Sequence, residues 1–342
     1  MKDPNKILVI RNDKIGDFLL SWPAFSLLKK QYPDTEITAL VPEYTAALAE
    51  QCKWIDKVLI DEKNTSFFKD VLNLSKQIKK QRFDQSISLF SETRTSAALW
   101  LARVKIRIGP ATKLAQLFLN RTLSQKRSQS IKPEYEYNLD LVKYCIQLNG
   151  DTCKEPDPAP YLVFDREEVH TLKNKYRQLH KIPAEAKIII IHPGTGGSAI
   201  NLSLQQYADV AKTISKNIAS FFVITAGPGE LEIAQRLSEL IPELSHCIHQ
   251  SNEGIIEFCK FINICDLFIS GSTGPLHIAG ALNINTAAFY PARRSATFLR
   301  WQTINSPEKR LCFSPGNFTG ENDMMQIDIK ESANRIVKTF FS

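Results

Sequence analysis

The sequence predicts an α/β protein built from two doubly wound parallel-sheet domains that face a central cleft. Three observations support this prediction. Short apolar runs alternate with helical patterns along most of the 342 residues. A Pro-rich stretch at 151–165 interrupts the alternation, which starts again at Lys187. In each half, a strand leads into a polar or Gly-rich loop, and such folds bind ligands beyond the carboxyl ends of their strands.

The first half begins with a strand–helix–strand unit. Lys6–Arg11 is an apolar strand, residues 12–16 form a turn, and a helix is predicted from about Asp17 to Lys30. Pro33 ends this helix, because proline cannot continue it. Further strands are predicted at 36–41, 58–60, 85–90 and 106–109, and further helices at 68–80 and 96–102. This alternation favours a parallel sheet covered on both faces.

The second half repeats the pattern. Residues 151–165 are predicted to be a linker, and a charged helix follows at about 165–179. Lys187–His192 is a buried strand that leads into a Gly-rich loop. Further predicted elements are a strand at 221–226 and helices near 204–217, 230–240, 254–264 and 327–341.

The most informative stretch runs from Asp266 to Tyr290 and has the pattern strand, Gly-rich turn, helix, strand. Gly271–Gly274 is the turn, and Pro275 suits the start of a helix, where its missing N–H is no loss. Such a junction directs free backbone N–H groups and the positive end of a helix at one spot, which favours an anion such as phosphate. The alternative is a junction that binds nothing.

Composition indicates a soluble globular protein with anionic partners. Hydrophobic residues make up 43%, charged residues 23%, and the net charge is +7. The seven cysteines are scattered and form no C-x-x-C pair, which favours reduced thiols over disulfides or zinc. The sequence suggests neither a secretory signal nor a membrane span, so a cytoplasmic location is expected.

Asp17 in the first loop has two interpretations. A carboxylate that follows Gly16 and begins a helix is usually a cap, which stabilises by about 1 kcal/mol. A carboxylate beyond the end of a strand could instead be a general base. The helix dipole would lower its pKa and weaken the base unless burial raises it. The residues alone favour the cap.

Three further features suggest ligand contacts, each with a plainer alternative. The loop at 194–198 lacks both the P-loop and the dinucleotide spacing, so it is a weak phosphate signal or a tight turn. Glu230 could accept from ribose hydroxyls or cap a helix. His277, one turn into its helix, could reach a bound phosphate or be structural. No metal-ligand cluster and no D-x-D pair occurs.

Residues 101–132 contain eight basic and no acidic residues. A solvated basic face is the usual explanation. The sharper alternative is a surface for phosphorylated or membrane-surface ligands. Nucleic acid is less favoured, because Phe118 is the only aromatic residue in the stretch.

Taken together, these loops resemble those of glycosyltransferase family nine, the bacterial heptosyltransferase-like enzymes. The matching motifs cover most of the chain and are Arg11–Asp17, His192-Pro193-Gly194 with Gly196-Gly197-Ser198, Gly271–His277, and Tyr290-Pro291 with Arg300-Trp301. The resemblance implies a GT-B fold with two Rossmann-like domains. The expected divisions are an acceptor domain at 1–160, a linker with a helix at 161–184, a nucleotide-sugar domain at 185–326, and a final helix at 327–342 that returns to the N-terminal domain.

The resemblance also implies inverting, metal-independent transfer of a sugar, most simply heptose from ADP-heptose, to lipopolysaccharide core or a related glycolipid. By position, Asp17 becomes the catalytic base rather than a cap, and Thr195, Thr273, Gly274 and His277 fall at diphosphate-binding positions. Together with the loop chemistry this predicts a donor site of Gly194, Thr195, Gly196, Ser198, Glu230, Ser272, Thr273, Gly274, Pro275 and His277. The predicted acceptor-binding residues are Lys14, Arg107 and Lys113, with no metal and no cofactor.

The expected partners are a nucleotide-sugar donor, a phosphorylated glycolipid and the inner face of the cytoplasmic membrane, to which the enzyme would bind peripherally, with no nucleic acid. The chain departs from the family pattern at Ser272, where many members carry Asp, and at Ile200 and Leu202, where many carry a basic residue and Trp. Lost contacts there would weaken or retune donor binding. Two alternatives remain open: a nucleotide-sugar epimerase on the same fold, and a non-catalytic nucleotide-sugar or glycolipid-binding protein.

Overall fold

The computed structural model describes residues 3–63, 66–197, 199–316 and 323–342. The chain divides into two compact units, Met1–Arg127 with Lys132–Pro158 and Ser128–Ile131 with Ala159–Ser342. The predicted N-terminal domain ended at residue 160, compared with Pro158 for the first unit.

The first unit alternates strands and helices. Its strands are β1 (Lys6–Ile10), β2 (Glu36–Val41), β3 (Lys57–Ile60), β4 (Gln85–Ser88), β5 (Ile106–Pro110) and β6 (Arg121–Leu123). Its α-helices are α1 (Ile15–Leu19), α2 (Trp22–Gln31), α3 (Glu43–Glu50), α4 (Phe67–Gln81), α5 (Thr93–Leu101) and α6 (Glu134–Leu148). A 3-10 helix, η1 (Leu114–Phe118), lies between β5 and β6.

The first sheet is parallel, with the strand order β3-β2-β1-β4-β5-β6. β1 lies at the point where the order reverses, so Ile10 is paired with both Leu40 of β2 and Ser88 of β4. Because the strands are parallel, the loops that follow β1, β3 and β4 all start at the same edge of the sheet. Ligands of doubly wound folds bind at this edge.

The second unit has the same architecture. Its strands are β7 (Lys187–His192), β8 (Ser220–Ala226), β9 (His246–Gln250), β10 (Leu267–Gly271), β11 (Thr286–Phe289) and β12 (Arg310–Phe313). Its α-helices are α7 (Arg166–Leu179), α8 (Leu204–Ser215), α9 (Leu231–Glu239), α10 (Ile255–Ile262), α11 (Gly274–Ala281), α12 (Phe298–Trp301) and α13 (Ile329–Phe340).

The second sheet is also parallel and has the order β12-β11-β10-β7-β8-β9. Its reversal point lies between β7 and β10, which are paired so that His192 is next to Ser270. Ile188–Ile191 of β7 are fully buried, as expected for a central strand covered on both faces. The predicted parallel α/β class is therefore confirmed in both units.

The predicted helix from Asp17 to Lys30 is two helices, α1 and α2. They are separated at Leu20 and Ser21, where the Ser21 hydroxyl donates to the carbonyl of Phe18 (2.5 Å). Pro23 is in the first turn of α2, where its missing N–H costs no hydrogen bond. The same proline could not continue α1, since it has no N–H for an intrahelical bond.

The helix predicted in the linker, α7, packs within the second unit. Lys173 on α7 forms an ion pair with Asp266 (2.8 Å), and the ring of Tyr176 contacts that of Phe261 (5.2 Å between centroids). The final helix, α13, was expected to return to the N-terminal domain, and its apolar face packs within the second unit. That face packs against α8, and Ala333 and Ile336 lie in the core that covers β7 and β8.

Candidate active site

Arg11 is the centre of a buried ion cluster at the carboxyl end of β1. Arg11 is 1% exposed. Its guanidinium donates to Asp13 Oδ1 through Nε (2.8 Å) and to Asp17 Oδ1 through Nη2 (2.5 Å). Nη1 donates to Glu134 Oε1 (3.2 Å) and Asn138 Oδ1 (3.1 Å), both on α6. Arg11 therefore ties the first loop to a helix more than 120 positions away.

Asp17 is placed by α1 and by Arg11. Lys14 occupies the N-cap position of α1, so the interpretation of Asp17 as the cap is wrong. The Asp17 side chain remains 16% exposed. Burial raises its pKa, the charge of Glu134 raises it further, and Arg11 and Lys14 lower it without reversing the rise. A raised pKa makes a carboxylate a stronger base, which is the property that the helix dipole alone would have removed.

Asp13 accepts a hydrogen bond from the same guanidinium as Asp17, that of Arg11. Burial raises the pKa of Asp13 to about 7 against the opposing effect of Arg11. The charge of Asp17 also raises it, so the two carboxylates disfavour each other's ionisation. The backbone at Asp13 is held by Tyr44, whose hydroxyl donates to the Asp13 carbonyl (2.6 Å).

A second polar cluster lies on the loops after β1, β3 and β4. The Asn12 amide donates to Asp61 Oδ2 (2.6 Å) and to Glu92 Oε2 (2.8 Å), and the Arg94 guanidinium donates to both carboxylates. Lys63 contacts Glu92 at 3.3 Å. Because Asn12 lies between Arg11 and Asp13, this cluster fixes the loop that carries the first cluster. Sequence reasoning missed it, since Asn12 and Glu92 are 80 positions apart and Arg94 is further still.

The predicted acceptor-binding residues lie on three different elements. Lys14 is exposed and close enough to Asp17 to lower its pKa. Arg107 is half-buried, and its guanidinium donates to the carbonyls of Phe118 (2.7 Å) and Val104 (2.5 Å), which joins β5 to η1. Lys113 is exposed immediately before η1. Of the three, Arg107 is used to hold the main chain.

Glu230 links two loops of the second unit. Its carboxylate accepts from the backbone N–H of Gly196 (2.8 Å), after β7, and of Gly227 (3.0 Å), after β8. A side chain at Gly194 would place its Cβ 2.2 Å from that carboxylate, so only glycine allows this approach. His192 Nε2 lies 3.7 Å from the same group. Burial lowers the pKa of His192, although Glu230 partly opposes the change.

The sequence had suggested that the amides of the mid-chain loop face a ligand. In the structure, two of these amides donate to acceptors within the protein. Gly196 donates to Glu230, and Gly197 donates to the Thr195 hydroxyl (3.2 Å). Nearby acceptors within the protein explain the difference, because amides pair with the closest available oxygen. Ser198, the other predicted donor-binding residue of this loop, lies outside the described residues.

The strand–turn–helix prediction at 266–290 is confirmed by β10, α11 and β11. Thr273 is the N-cap of α11, and its hydroxyl accepts from the N–H of Leu276 (3.4 Å). Ser272, Gly274 and Pro275 are partly exposed at this helix start. The turn thus presents the N-terminus of an eight-residue helix beside the end of β10.

His277 was expected either to reach a bound phosphate or to be structural. It is buried, and burial lowers its pKa to about 4, so the imidazole is neutral near pH 7. Its Nδ1 has no hydrogen-bond partner among the described atoms. His277 can therefore offer a neutral hydrogen bond, but it does not supply positive charge.

Asn201 joins the mid-chain loop to the end of β10. Its amide donates to the carbonyl of Pro193 (3.0 Å), and its side-chain oxygen accepts from the hydroxyl of Tyr207. A Cβ on Gly271 would lie 2.6 Å from the same oxygen. Sequence reasoning considered the neighbours Ile200 and Leu202 but missed Asn201. Since Glu230 and Asn201 each bridge two loops, three of the predicted donor stretches meet at one edge of the second sheet.

Two absences hold for the described part of the chain. There, no group of three His, Cys, Asp or Glu side chains is arranged to hold a metal ion. None of the helices found there has both the length and the apolar character needed to cross a bilayer.

Comparison with known proteins gives consistent matches. The family model described as "Glycosyltransferase family 9 (heptosyltransferase)" matches residues 71–307. A Haemophilus influenzae protein named "Putative glycosyltransferase" is 43% identical, over 97% of this chain and 95% of its own length. The lipooligosaccharide heptosyltransferase 2 of Campylobacter jejuni is 23% identical, over 88% of this chain and 86% of its own.

Solved structures share the fold. A family 9 glycosyl transferase from Veillonella parvula has a TM-score of 0.80 at 17% identity and covers 98% of this chain and 97% of its own. The ADP-heptose lps heptosyltransferase II of E. coli has a TM-score of 0.74 at 17% identity, with 97% and 98% covered. The two six-stranded parallel sheets are thus those of the GT-B-like heptosyltransferase structures.

Proposed function

Because the chain belongs to glycosyltransferase family 9, the heptosyltransferase family, and is therefore a glycosyltransferase, we propose that it transfers a heptose from ADP-heptose to a lipopolysaccharide core or related glycolipid. In this proposal the transfer inverts the anomeric centre and needs no metal. The acceptor carries acyl chains, so the enzyme would act at the cytoplasmic face of the inner membrane as a peripheral protein.

We assign the general base to Asp17. The observation that carries this assignment is a carboxylate with a raised pKa that remains partly exposed at the carboxyl end of β1. The acceptor hydroxyl transfers its proton to Asp17 as its oxygen attacks the anomeric carbon. The bond from that carbon to the diphosphate breaks, through a transition state with oxocarbenium character, as in other glycosyl transfers. Arg11 keeps the Asp17 carboxylate in one position through a 2.5 Å hydrogen bond.

We assign donor binding to the joined loops of the second unit. The start of α11 offers the positive end of a helix and the N–H of Gly274 to the leaving diphosphate, since Pro275 has no N–H and those of Leu276 and His277 donate to Thr273. Such fixed donors stabilise charge that develops in a transition state, and this makes a cation unnecessary there. Glu230, whose carboxylate is already held by two amides, is suited to accept from ribose hydroxyls. These contacts support binding of a nucleotide-sugar donor.

The base assignment is tested by Asp17→Asn, with Asp13→Asn as the matched control on the same guanidinium. The measurement is ADP release from ADP-heptose in the presence of a deacylated lipopolysaccharide core saccharide, with the product identified by mass spectrometry. We expect Asp17→Asn to lower kcat about 100-fold or more, the usual contribution of general base catalysis. Asp13→Asn should cost much less.

Two results would contradict this assignment. If Asp17→Asn keeps activity within a few-fold of wild type, Asp17 is not the base. If Asp13→Asn abolishes transfer while Asp17→Asn does not, the base is Asp13. The two alternatives from the sequence make other predictions. An epimerase would interconvert the donor sugar without an acceptor, and a non-catalytic binding protein would bind ADP-heptose without releasing ADP.

A further inference from the structure

Large apolar side chains are exposed where α5 and η1 meet. The exposed fractions are 53% for Trp100, 39% for Leu101, 68% for Leu114 and 74% for Leu117. We call these four residues the α5–η1 patch. Scattered single exposed leucines are normal, but a cluster of large apolar residues that includes Trp commonly marks an interaction site.

The patch is a built surface rather than a loose loop. The rings of Trp100 and Phe118 are in contact, with centroids 6.0 Å apart, and α5 packs against η1. Ala115 is fully buried beneath the patch. Arg107 fastens the end of η1 by donating to the Phe118 carbonyl (2.7 Å). With its main chain held in this way, the side chains of Leu114 and Leu117 face solvent from a fixed support.

The surroundings of the patch are basic. Residues 101–132 contain eight Lys and Arg and no Asp or Glu. Arg103 and Lys105, which follow α5, are exposed, and the Lys105 carbonyl accepts from the Asn120 amide (2.7 Å) beyond η1. The basic residues next to α5 and the chain that leaves η1 are therefore adjacent in space as well as in sequence.

An apolar centre with a basic rim fits an anionic bilayer surface better than other occupants. Trp and Leu partition into the interface between headgroups and acyl chains, and Lys and Arg bind the lipid phosphates. A second copy of the chain is disfavoured, because a symmetric contact through this patch would bring two basic rims together.

We propose that the α5–η1 patch is the surface through which the enzyme docks on anionic membrane lipid. Leu114, Leu117 and Trp100 enter the interface, and Arg103 and Lys105 contact phosphate headgroups. This inference rests on the proposed function, since a glycolipid acceptor lies in a bilayer. Beyond the proposed function, this inference identifies which surface of the first unit faces the lipid.

Vesicle sedimentation of the full-length protein tests the proposal. Vesicles of phosphatidylethanolamine with phosphatidylglycerol are compared with vesicles of phosphatidylcholine alone. We expect binding to the anionic vesicles only, and weaker binding at high salt. The double variant Leu114→Ser, Leu117→Ser should reduce partitioning by about tenfold or more, because apolar burial in the interface is lost. Arg103→Gln with Lys105→Gln should also reduce it, by about fivefold for each charge.

The matched control is Val163→Ser with Leu179→Ser. Val163 and Leu179 are 64% and 75% exposed, which is similar to Leu114 and Leu117 of the patch, but they belong to the second unit. The control should bind vesicles as wild type does, and thermal unfolding confirms that each variant is folded. The proposal is overturned if the wild type ignores anionic vesicles or if the patch variant binds as well as the control. It is also overturned if the wild type is a dimer that the patch variant converts to monomer.

A transfer assay separates this proposal from the proposed function. On a deacylated, water-soluble core saccharide the Leu114→Ser, Leu117→Ser variant should transfer at the wild-type rate. On acceptor embedded in vesicles it should be slower by the same factor as its loss of binding. Asp17→Asn should behave in the opposite way, with normal vesicle binding and transfer lowered by about 100-fold or more on both acceptors. Equal loss of activity on both acceptors in the patch variant would refute docking without touching the assignment of Asp17.

Discussion

Replacing Arg11 by Met tests the electrostatics of the candidate active site. The Arg11 guanidinium donates to Asp13 (2.8 Å), Asp17 (2.5 Å) and Glu134 (3.2 Å), and the residue is 1% exposed. Methionine keeps an apolar side chain of similar reach but removes the charge. Removing one partner from a buried ion pair costs about 3–5 kcal/mol, because the charge that stays behind is uncompensated.

Differential scanning calorimetry of the full chain at pH 8 measures this cost. For a unit of this size, about 1 kcal/mol corresponds to about 2–4 °C in Tm. We therefore expect Arg11→Met to lower the Tm of its transition by about 6–20 °C. Activity should change in a defined direction as well. Arg11 lowers the pKa of Asp17, so its loss raises that pKa and moves the acidic limb of the pH–rate profile to higher pH.

The stability cost should shrink at pH 5. Burial raises the pKa of Asp13 to about 7 and also raises that of Asp17, and Arg11 opposes both shifts. Without Arg11 both pKa values rise further, so at pH 5 the Asp13 carboxyl is protonated and the Asp17 carboxyl is less ionised than at pH 8. A neutral carboxyl needs no buried cation. At pH 8 the two carboxyls either ionise without a counter-charge or bind protons at a low proton concentration, and both alternatives cost free energy. We therefore expect the full loss of stability at pH 8.

Arg107→Met is the matched control. The Arg107 guanidinium also anchors the chain, but it donates to the carbonyls of Phe118 and Val104, so its loss leaves no buried charge. Each such hydrogen bond contributes about 0.5–1.5 kcal/mol with little dependence on pH. The reasoning is refuted if Arg11→Met and Arg107→Met lower Tm equally at pH 8. It is also refuted if the loss in Arg11→Met is the same at pH 5.

Three further predictions concern single residues. Burial raises the pKa of Asp13 from 3.8 to about 7, so ionised Asp13 destabilises the fold. In denaturant titrations, the free energy of unfolding of the wild type should therefore fall by up to about 4 kcal/mol between pH 4 and pH 7 relative to that of Asp13→Asn. Parallel pH curves for the two proteins would contradict this. Gly194→Ala should weaken ADP binding in calorimetry, because its Cβ would lie 2.2 Å from the Glu230 carboxylate. Gly316→Ala should not, because its Cβ would meet no atom of the described residues within 4 Å, and equal affinities of the two variants would be evidence against the loop arrangement. Asn201→Ala should raise the donor KM about tenfold with a smaller change in kcat, since it frees the mid-chain loop from the end of β10, and an unchanged KM would remove Asn201 from this role.

Local patterns were enough to predict most strands and the class of fold. The apolar run of β7 and the turn between β10 and α11 are each specified by fewer than ten consecutive residues, and both were found where predicted. The break between α1 and α2 was missed, although Pro23 marks it. α6 was missed as well, even though Tyr137, Leu141 and Cys145 repeat at the four-residue spacing of a buried helix face.

The missing helix accounts for the largest gap in the predicted site. Glu134 and Asn138, which hold Arg11, are 123 and 127 positions from it in sequence. Their contact depends on how α6 packs, and no local motif encodes that. Asp61 and Arg94 were missed for the same reason, since each is a common residue type whose role arises only where three loops meet. A charged residue at the start of a helix with an apolar buried face, as at Glu134, was the available clue.

Charge balance explains how one aspartate at the start of a helix can become a base rather than a cap. The cluster contains three carboxylates, of Asp13, Asp17 and Glu134, and two guanidinium groups, of Arg11 and Arg127, which contacts Glu134 at 2.7 Å. Fully ionised, this cluster carries an excess negative charge in a buried place, where an unbalanced charge is costly. Binding of one proton removes the excess negative charge of the cluster. A general base binds a proton in the same way when it accepts one from the acceptor hydroxyl.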